Sequence, residues 1–310
     1  MTPSVVDWTV ALSTARKLVK PGPQVTAAGA AEVVADLRAA AVRAEAYVVE
    51  VTGLPVPPAT APVLVVDRPG WIQANLDGFR ETLAPLDAKL REKLSHNPAM
   101  SAIGSRVTGA EIGLLLSYLA PKVLGQFDPF FPGAPGEPGG RLLLVAPNVV
   151  AVERELKVDP ADFRLWVCLH EVTHQLQFTG VPWLKGHLES EIAEFVDATD
   201  LNADVLRERL QEVLRGVVDA VRGSDENAEG LMALIKDPAQ RAVLDRVTAV
   251  MSLVEGHAEY VMDGVGPDVV PTVKTLRKRF AQRRKGRGPL DRVLRRLLGL
   301  EQKMKQYAEG

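Results

Sequence analysis

Five histidines occur in the 310 residues, and two of them flank a glutamate in the run His170-Glu171-Val172-Thr173-His174. Side chains four apart on a helix leave the same face about 6 Å apart, so His170 and His174 can share one metal ion. Glu171 stands one step round the helix, within reach of a water on that ion without being a ligand. Neutral imidazoles suit Zn2+, and three protein ligands with one open position is the pattern of catalytic zinc. A carboxylate beside such a site can take the proton of the attacking water, which makes Glu171 the candidate general base and acid. The chemistry indicated is metal-assisted hydrolysis. Two stacked histidines on an ordinary helix, or a purely structural metal, would leave Glu171 without a task.

A third ligand has to come from elsewhere. The extended His-x-x-Gly-x-x-His form would place it at position 180, which is Gly180. Downstream, Met251 to Asp263 reads Met-Ser-Leu-Val-Glu255-Gly-His257-Ala-Glu259-Tyr260-Val-Met-Asp. Glu255 and Glu259 lie four apart on one face of an otherwise apolar helix, where buried carboxylates are costly unless paired or metal-bound. The economical assignment makes Glu255 the third ligand and Glu259 the acceptor for the free N–H of a ligating histidine. His257 projects to another face; it is an alternative ligand, or with Tyr260 a donor to the developing oxyanion. His187 is a weaker alternative ligand, and His96 carries no signal. Cys168, two residues before His170, faces away from the metal side and reads as core.

The elements that must position these residues are mostly helical. Val5 to Val19 and Ala27 to Val51 carry apolar residues at i, i+3/i+4 spacing, separated by Pro21-Gly22-Pro23. Val63–Val66 and Arg141–Val145 are the strand candidates. Helical periodicity runs from Trp71 towards Leu94. Thr108 and Glu111 form a capping box that should open a helix ending near Pro121. The stretch from Phe127 to Gly140 holds four Pro and four Gly and reads as a loop. Asn148 is a candidate N-cap for a short helix to Leu156. Asp159-Pro160 opens the motif helix, with Gly180 as its stop. Trp183 should anchor the loop beyond it. Long helices are expected over 187–222 and 228–263, and a basic helical tail over 270–310.

Composition sets the frame. The chain is 46% apolar and 25% charged, ordinary for a globular protein of this length, which buries roughly 75% of its unfolded surface. No apolar run reaches the ~18 residues of a membrane span. The N-terminus lacks the basic start and apolar block of a secretory signal. A single cysteine excludes an internal disulfide framework and any Cys-rich zinc module, so a cytoplasmic location is expected. The net charge of −2 hides an asymmetry: residues 271–310 hold 13 Lys/Arg against 3 Asp/Glu, leaving 24 against 36 in the body. That tail should neutralise body carboxylates such as Glu189, Glu191 and Glu194. It has few aromatic platforms for bases, so no specific nucleic-acid binding is expected. The apolar residues Val293, Leu294, Leu297, Leu298 and Leu300 suggest an amphipathic helix packed on the core or on a second copy of the chain.

Four segments together carry a family resemblance: Leu144-Val-Ala-Pro-Asn-Val-Val-Ala-Val-Glu-Arg-Glu-Leu156, Leu169-His-Glu-Val-Thr-His-Gln-Leu-Gln-Phe178, Val181-Pro-Trp-Leu184 and Glu255-Gly-His-Ala-Glu259. In these the chain resembles an actinobacterial family of zincin-type hydrolases linked with deazaflavin-coenzyme biosynthesis. The resemblance implies a zincin-like core: a helix carrying the two-histidine motif, a second helix supplying a glutamate, and a small sheet beside the cleft. It also implies an edge strand ahead of the motif helix that pairs with an extended peptide, for which Arg141–Val145 is the candidate.

The expected fold is mainly α (α+β), a single domain with an N-terminal helical part over about 1–125, a metal-site part over about 141–265 and the basic tail. The expected function is a zinc metallopeptidase or amide hydrolase, with His170, His174 and Glu255 on Zn2+ and Glu171 as base. The alternative is a non-catalytic, metal-stabilised binding protein with an interaction tail. A closed four-ligand site would favour that alternative.

Overall fold

The computed structural model describes residues 6–57, 61–94, 98–133, 139–197 and 238–285. Helices α1 (Trp8–Leu18) and α2 (Ala27–Thr52) start where side chains cap their first turns: Asp7 accepts from Thr9 N and Val10 N, and Thr26 from Gly29 N. Gly53 closes α2 at φ 65°, the left-handed conformation glycine adopts without a Cβ penalty. There follow β1 (Val63–Val66), α3 (Arg68–Leu94), α4 (Pro98–Leu119), β2 (Gly125–Asp128), β3 (Arg141–Val145), α5 (Ala146–Leu156), α6 (Pro160–Gly180) and α7 (Pro182–Asp197). After residues 198–237 come α8 (Pro238–Val269), kinked at Gly266-Pro267, and α9 (Val273–Lys285). The fold is mainly α with one small sheet, as the sequence indicated. No helix among the described residues is long and apolar enough to cross a membrane.

The sheet runs in the order β1-β3-β2, with β1 parallel and β2 antiparallel to β3. All five residues of β3 are buried. Successive side chains of a strand point to opposite faces, so β3 divides the interior. Leu142 and Leu144 join the core that holds α2, α6 and α8, whereas Leu143 and Val145 join the one holding α1, α3 and α4. Helix α6 threads the first core and is buried nearly all round, with Phe163, Cys168, Leu169, Val172 and Leu176 at 0–2% exposure.

Several expectations change here. Arg141–Val145 is the central strand, not the edge; the edges are β1 and β2, and β2 falls partly in the stretch read as a loop. It forms although Pro129 follows it, because Asp128 faces Arg141 across the ladder at 3.1 Å and Phe127 packs on Phe178. Thr108 and Glu111 lie inside α4, which begins ten residues earlier at Pro98, so they make no capping box there. Asn148 is not a cap. It is fully buried, donates to Ala120 O and Val123 O at 2.6 Å, and accepts from Arg68 Nε at 2.7 Å. Trp183 is 59% exposed at the start of α7, where its ring meets His187 of the same helix. Among the described residues, Glu191 and Glu194 pair with Arg246 of α8, and Glu189 with Lys185, rather than with the tail. The described part of the tail does pair with the body: Arg283 meets Glu155, Arg277 meets Asp263, and Arg279 donates to the Leu156 and Lys157 carbonyls that end α5. The expected turn at 223–227, and the leucines from Val293 to Leu300, lie outside the described residues.

Candidate metal centre

Helix α6 starts as its sequence dictates, with Asp159 accepting from Asp162 N at 3.0 Å and Pro160 in the first turn. That phase sets His170 and His174 one turn apart, their rings edge-on with centroids 4.6 Å apart and their Nε2 atoms 3.2 Å apart. Helix α8 brings the third group. Val261, Met262 and Val265 pack into the α2–α6 core, Val254 and Ala258 are buried on the same helix, and that phase turns Glu255 towards the histidines. Glu255 Oε2 lies 3.6 Å from His170 Nε2, and Oε1 lies 3.5 Å from His174 Nε2. One ligand atom from each of the three residues lies within 4.8 Å of the others, the one such grouping among the described residues.

The spacing tests the donor set. Zinc bonds of about 2.0–2.1 Å in a tetrahedron require donor atoms roughly 3.3 Å apart. The two histidine Nε2 atoms, 3.2 Å apart, match that edge, and the Glu255 carboxylate faces both of them, Oε1 at 3.5 Å from His174 and Oε2 at 3.6 Å from His170. Two imidazole nitrogens and a carboxylate with lone pairs aimed at one point repel each other unless a cation or proton sits between them. Two histidines and one carboxylate is also a donor set that zinc takes with an open fourth position. The residues fit zinc.

Glu171 is 7% exposed and lies against β2. A Cβ on Gly125 would come 2.5 Å from Glu171 Cγ and 2.7 Å from its Cδ, so only glycine leaves the carboxyl group this space. Burial, then the charge of Glu255, pushes the Glu171 carboxyl up to about 8. A cation between the three donors would oppose that shift. Cys168 packs on α2, its Sγ 3.7 Å from Leu37 O, and burial with the nearby Glu171 pushes its thiol up to about 12.

The remaining candidates separate. His257 is half-buried beside the site, and its Nδ1 lies 2.8 Å from Gln177 Nε2. Burial, then the neighbouring His174, holds its imidazole below the usual histidine range. Glu259 is exposed, not buried as its apolar context suggested, and Tyr260 is 66% exposed one step further on. The expected carboxylate is not what meets His174: Nδ1 of that ring lies 2.9 Å from Oε1 of Gln177. His187 contacts Trp183 and Glu191 on α7 and is not in the donor group. Gln177 and Gly125 escaped sequence reasoning. A buried glutamine three residues past the second histidine was a readable signal; nothing local marked Gly125.

A family profile described as zincin-like metallopeptidase matches residues 6–310. The chain belongs to the zincin-like metallopeptidase family. The family covers both helices of the donor group and the sheet beside them. A crystal structure of a proposed hydrolase with a novel fold, from Chloroflexus aurantiacus, is similar at 29% identity and TM-score 0.61. The likeness covers 95% of this chain and 81% of that one. No curated protein matches significantly.

Proposed function

We propose that the protein is a zinc-dependent peptidase or amide hydrolase in which His170, His174 and Glu255 hold the metal and Glu171 moves the proton. The observation that carries this is the convergence of one ligand atom from each of the three residues to within 4.8 Å, with a buried carboxyl group beside them. Bound there, zinc would supply a Lewis acid and lower the pKa of its water to roughly 7. Glu171 takes the proton that the attacking water loses and passes it to the leaving nitrogen. Gly125 keeps that carboxyl group at the edge strand. β2 pairs only with β3 among the described strands, so its outer edge is the place for an extended peptide to add as a further strand. His257, neutral and beside the donors, is the better placed of the two oxyanion-donor candidates; Tyr260 is mostly exposed. Glu259, one turn beyond Glu255, remains the candidate acceptor for His170. Nothing at the site selects a substrate from deazaflavin-coenzyme biosynthesis, and the reading stays at the level of a peptide or amide.

The binding-protein alternative wants a fourth protein ligand, and only three donors converge among the described residues. The test is elemental analysis after zinc reconstitution, paired with hydrolysis of fluorogenic peptides. Wild type should hold about one zinc per chain. Glu171→Gln should keep the zinc and lose the hydrolysis. His170→Ala and His174→Ala should lose both. Absence of stoichiometric divalent metal in reconstituted wild type would remove the proposal.

A further inference from the structure

Gln177 is 5% exposed, and its carboxamide has three polar neighbours. Nε2 lies 2.9 Å from the Val254 carbonyl oxygen and 2.8 Å from His257 Nδ1, while Oε1 lies 2.9 Å from His174 Nδ1. An amide's oxygen and nitrogen are told apart by their partners. Here one partner decides. The Val254 carbonyl can only accept, so the –NH2 group must face it. The second hydrogen of that group then points at His257 Nδ1, which has to be bare, and neutral His257 carries its proton on Nε2. The amide oxygen is left for His174, whose Nδ1 must be the donor. That places the lone pair of neutral His174 on Nε2, the atom 3.2 Å from His170 Nε2 and 3.5 Å from Glu255 Oε1.

We infer that Gln177 is a positioning residue that sets the tautomers of both imidazoles: Nε2 of His174 bare towards the donor group, and Nε2–H of His257 free to donate. The same two hydrogen bonds tie α6 to α8 across 77 and 80 residues of chain, at the height of the histidines. A carboxylate at 177 would accept from His174 equally well, but it has no hydrogen for Val254 or for His257. It would also add a third negative group to a site already holding Glu171 and Glu255. The carboxamide orients the imidazole without that charge, so a bound cation stays a stronger Lewis acid. The consequence for zinc rests on the metal-site reading above; the tautomers themselves do not.

Long-range 1H–15N correlation spectra of histidine-labelled protein at about pH 8, where neutral rings dominate, read each tautomer directly. His174→Ala and His257→Ala assign the signals among the five histidines. Metal-free wild type should show Nδ1–H on His174 and Nε2–H on His257. Gln177→Glu should keep the His174 tautomer, bind zinc at least as tightly in a chelator competition, and move the His257 proton to Nδ1. Gln177→Leu should weaken zinc binding by about 10-fold or more, the size of loss seen when a ligand's hydrogen-bond partner is removed. A merely structural glutamine would leave the tautomers of Gln177→Glu unchanged. Nε2–H on His174 in metal-free wild type, or His257 unmoved in Gln177→Glu, would overturn the inference. So would wild-type zinc affinity in folded Gln177→Leu. If Gln177→Leu does not fold, Gln177→Glu decides alone. If wild type takes no zinc, the metal reading fails and the tautomer measurements still decide this one.

Discussion

Replacing Gly125 by alanine would put a methyl carbon 2.5 Å from Cγ of Glu171, 2.7 Å from its Cδ and 3.0 Å from its Oε1. Carbon atoms in contact sit about 3.5–4.0 Å apart, so the two groups must separate by roughly 1 Å. The strand cannot give way cheaply. Gly125 is paired with Leu144 in the ladder, and Leu124 O accepts from Val145 N at 2.8 Å just before it. Helix α6 cannot give way either, since it is buried on nearly every face. Gly125 has no positive φ, so alanine brings no backbone strain and the effect reports the clash alone. The Glu171 side chain is therefore what moves. Displacing a proton-transfer group by about 1 Å costs on the order of 100-fold in rate. Overpacking at such a site costs about 1–3 kcal/mol, and each kcal/mol lowers the melting temperature by roughly 2–4 °C. The three atoms nearest the new methyl all belong to Glu171, so zinc content should not change. The assay is initial rates on a fluorogenic peptide pool for wild type, Gly125→Ala and Glu171→Gln, with metal content and thermal unfolding on the same samples. A wild-type rate at full zinc occupancy would refute the reasoning, and so would loss of zinc.

Glu255→Gln should weaken zinc binding by about 10-fold or more while His257→Ala leaves it near wild type, measured by chelator competition; the reverse pattern would make His257 the ligand. Arg164→Met removes the bonds that hold the Glu153 carboxylate, 5% exposed, at 2.9 and 3.1 Å. An uncompensated buried charge costs about 3–5 kcal/mol, read from the denaturant midpoint, and adding Glu153→Leu should recover most of it. A loss below about 1 kcal/mol would show that the pair is not needed. For the basic tail, retention on DNA or RNA should vanish by roughly physiological salt without sequence preference, because Arg277, Arg279 and Arg283 are already engaged by the body. Binding that stays tight in a salt titration would contradict that.

What was legible in the chain was whatever depends on near neighbours. The spacing of His170 and His174 places them on one face of any helix, and Asp159-Pro160 starts that helix in the right phase. The apolar run at Arg141–Val145 is a strand whatever surrounds it. Even Glu255 could be singled out, as a carboxylate in an apolar helix. Other features depend on how separate elements meet. The rotation of α8 that turns Glu255 to the histidines and exposes Glu259 follows from how Val261, Met262 and Val265 fill the core left by α2 and α6. The four-residue edge strand survives beside Pro129 because Arg141 on the neighbouring strand receives Asp128 and Phe178, in α6, receives Phe127. The roles of Gln177 and Gly125 come from atoms 46 to 80 residues away, at Glu171, Val254 and His257. Spacing along one helix decides which groups can face the same way; only close packing between helices and sheet decides what stands opposite them.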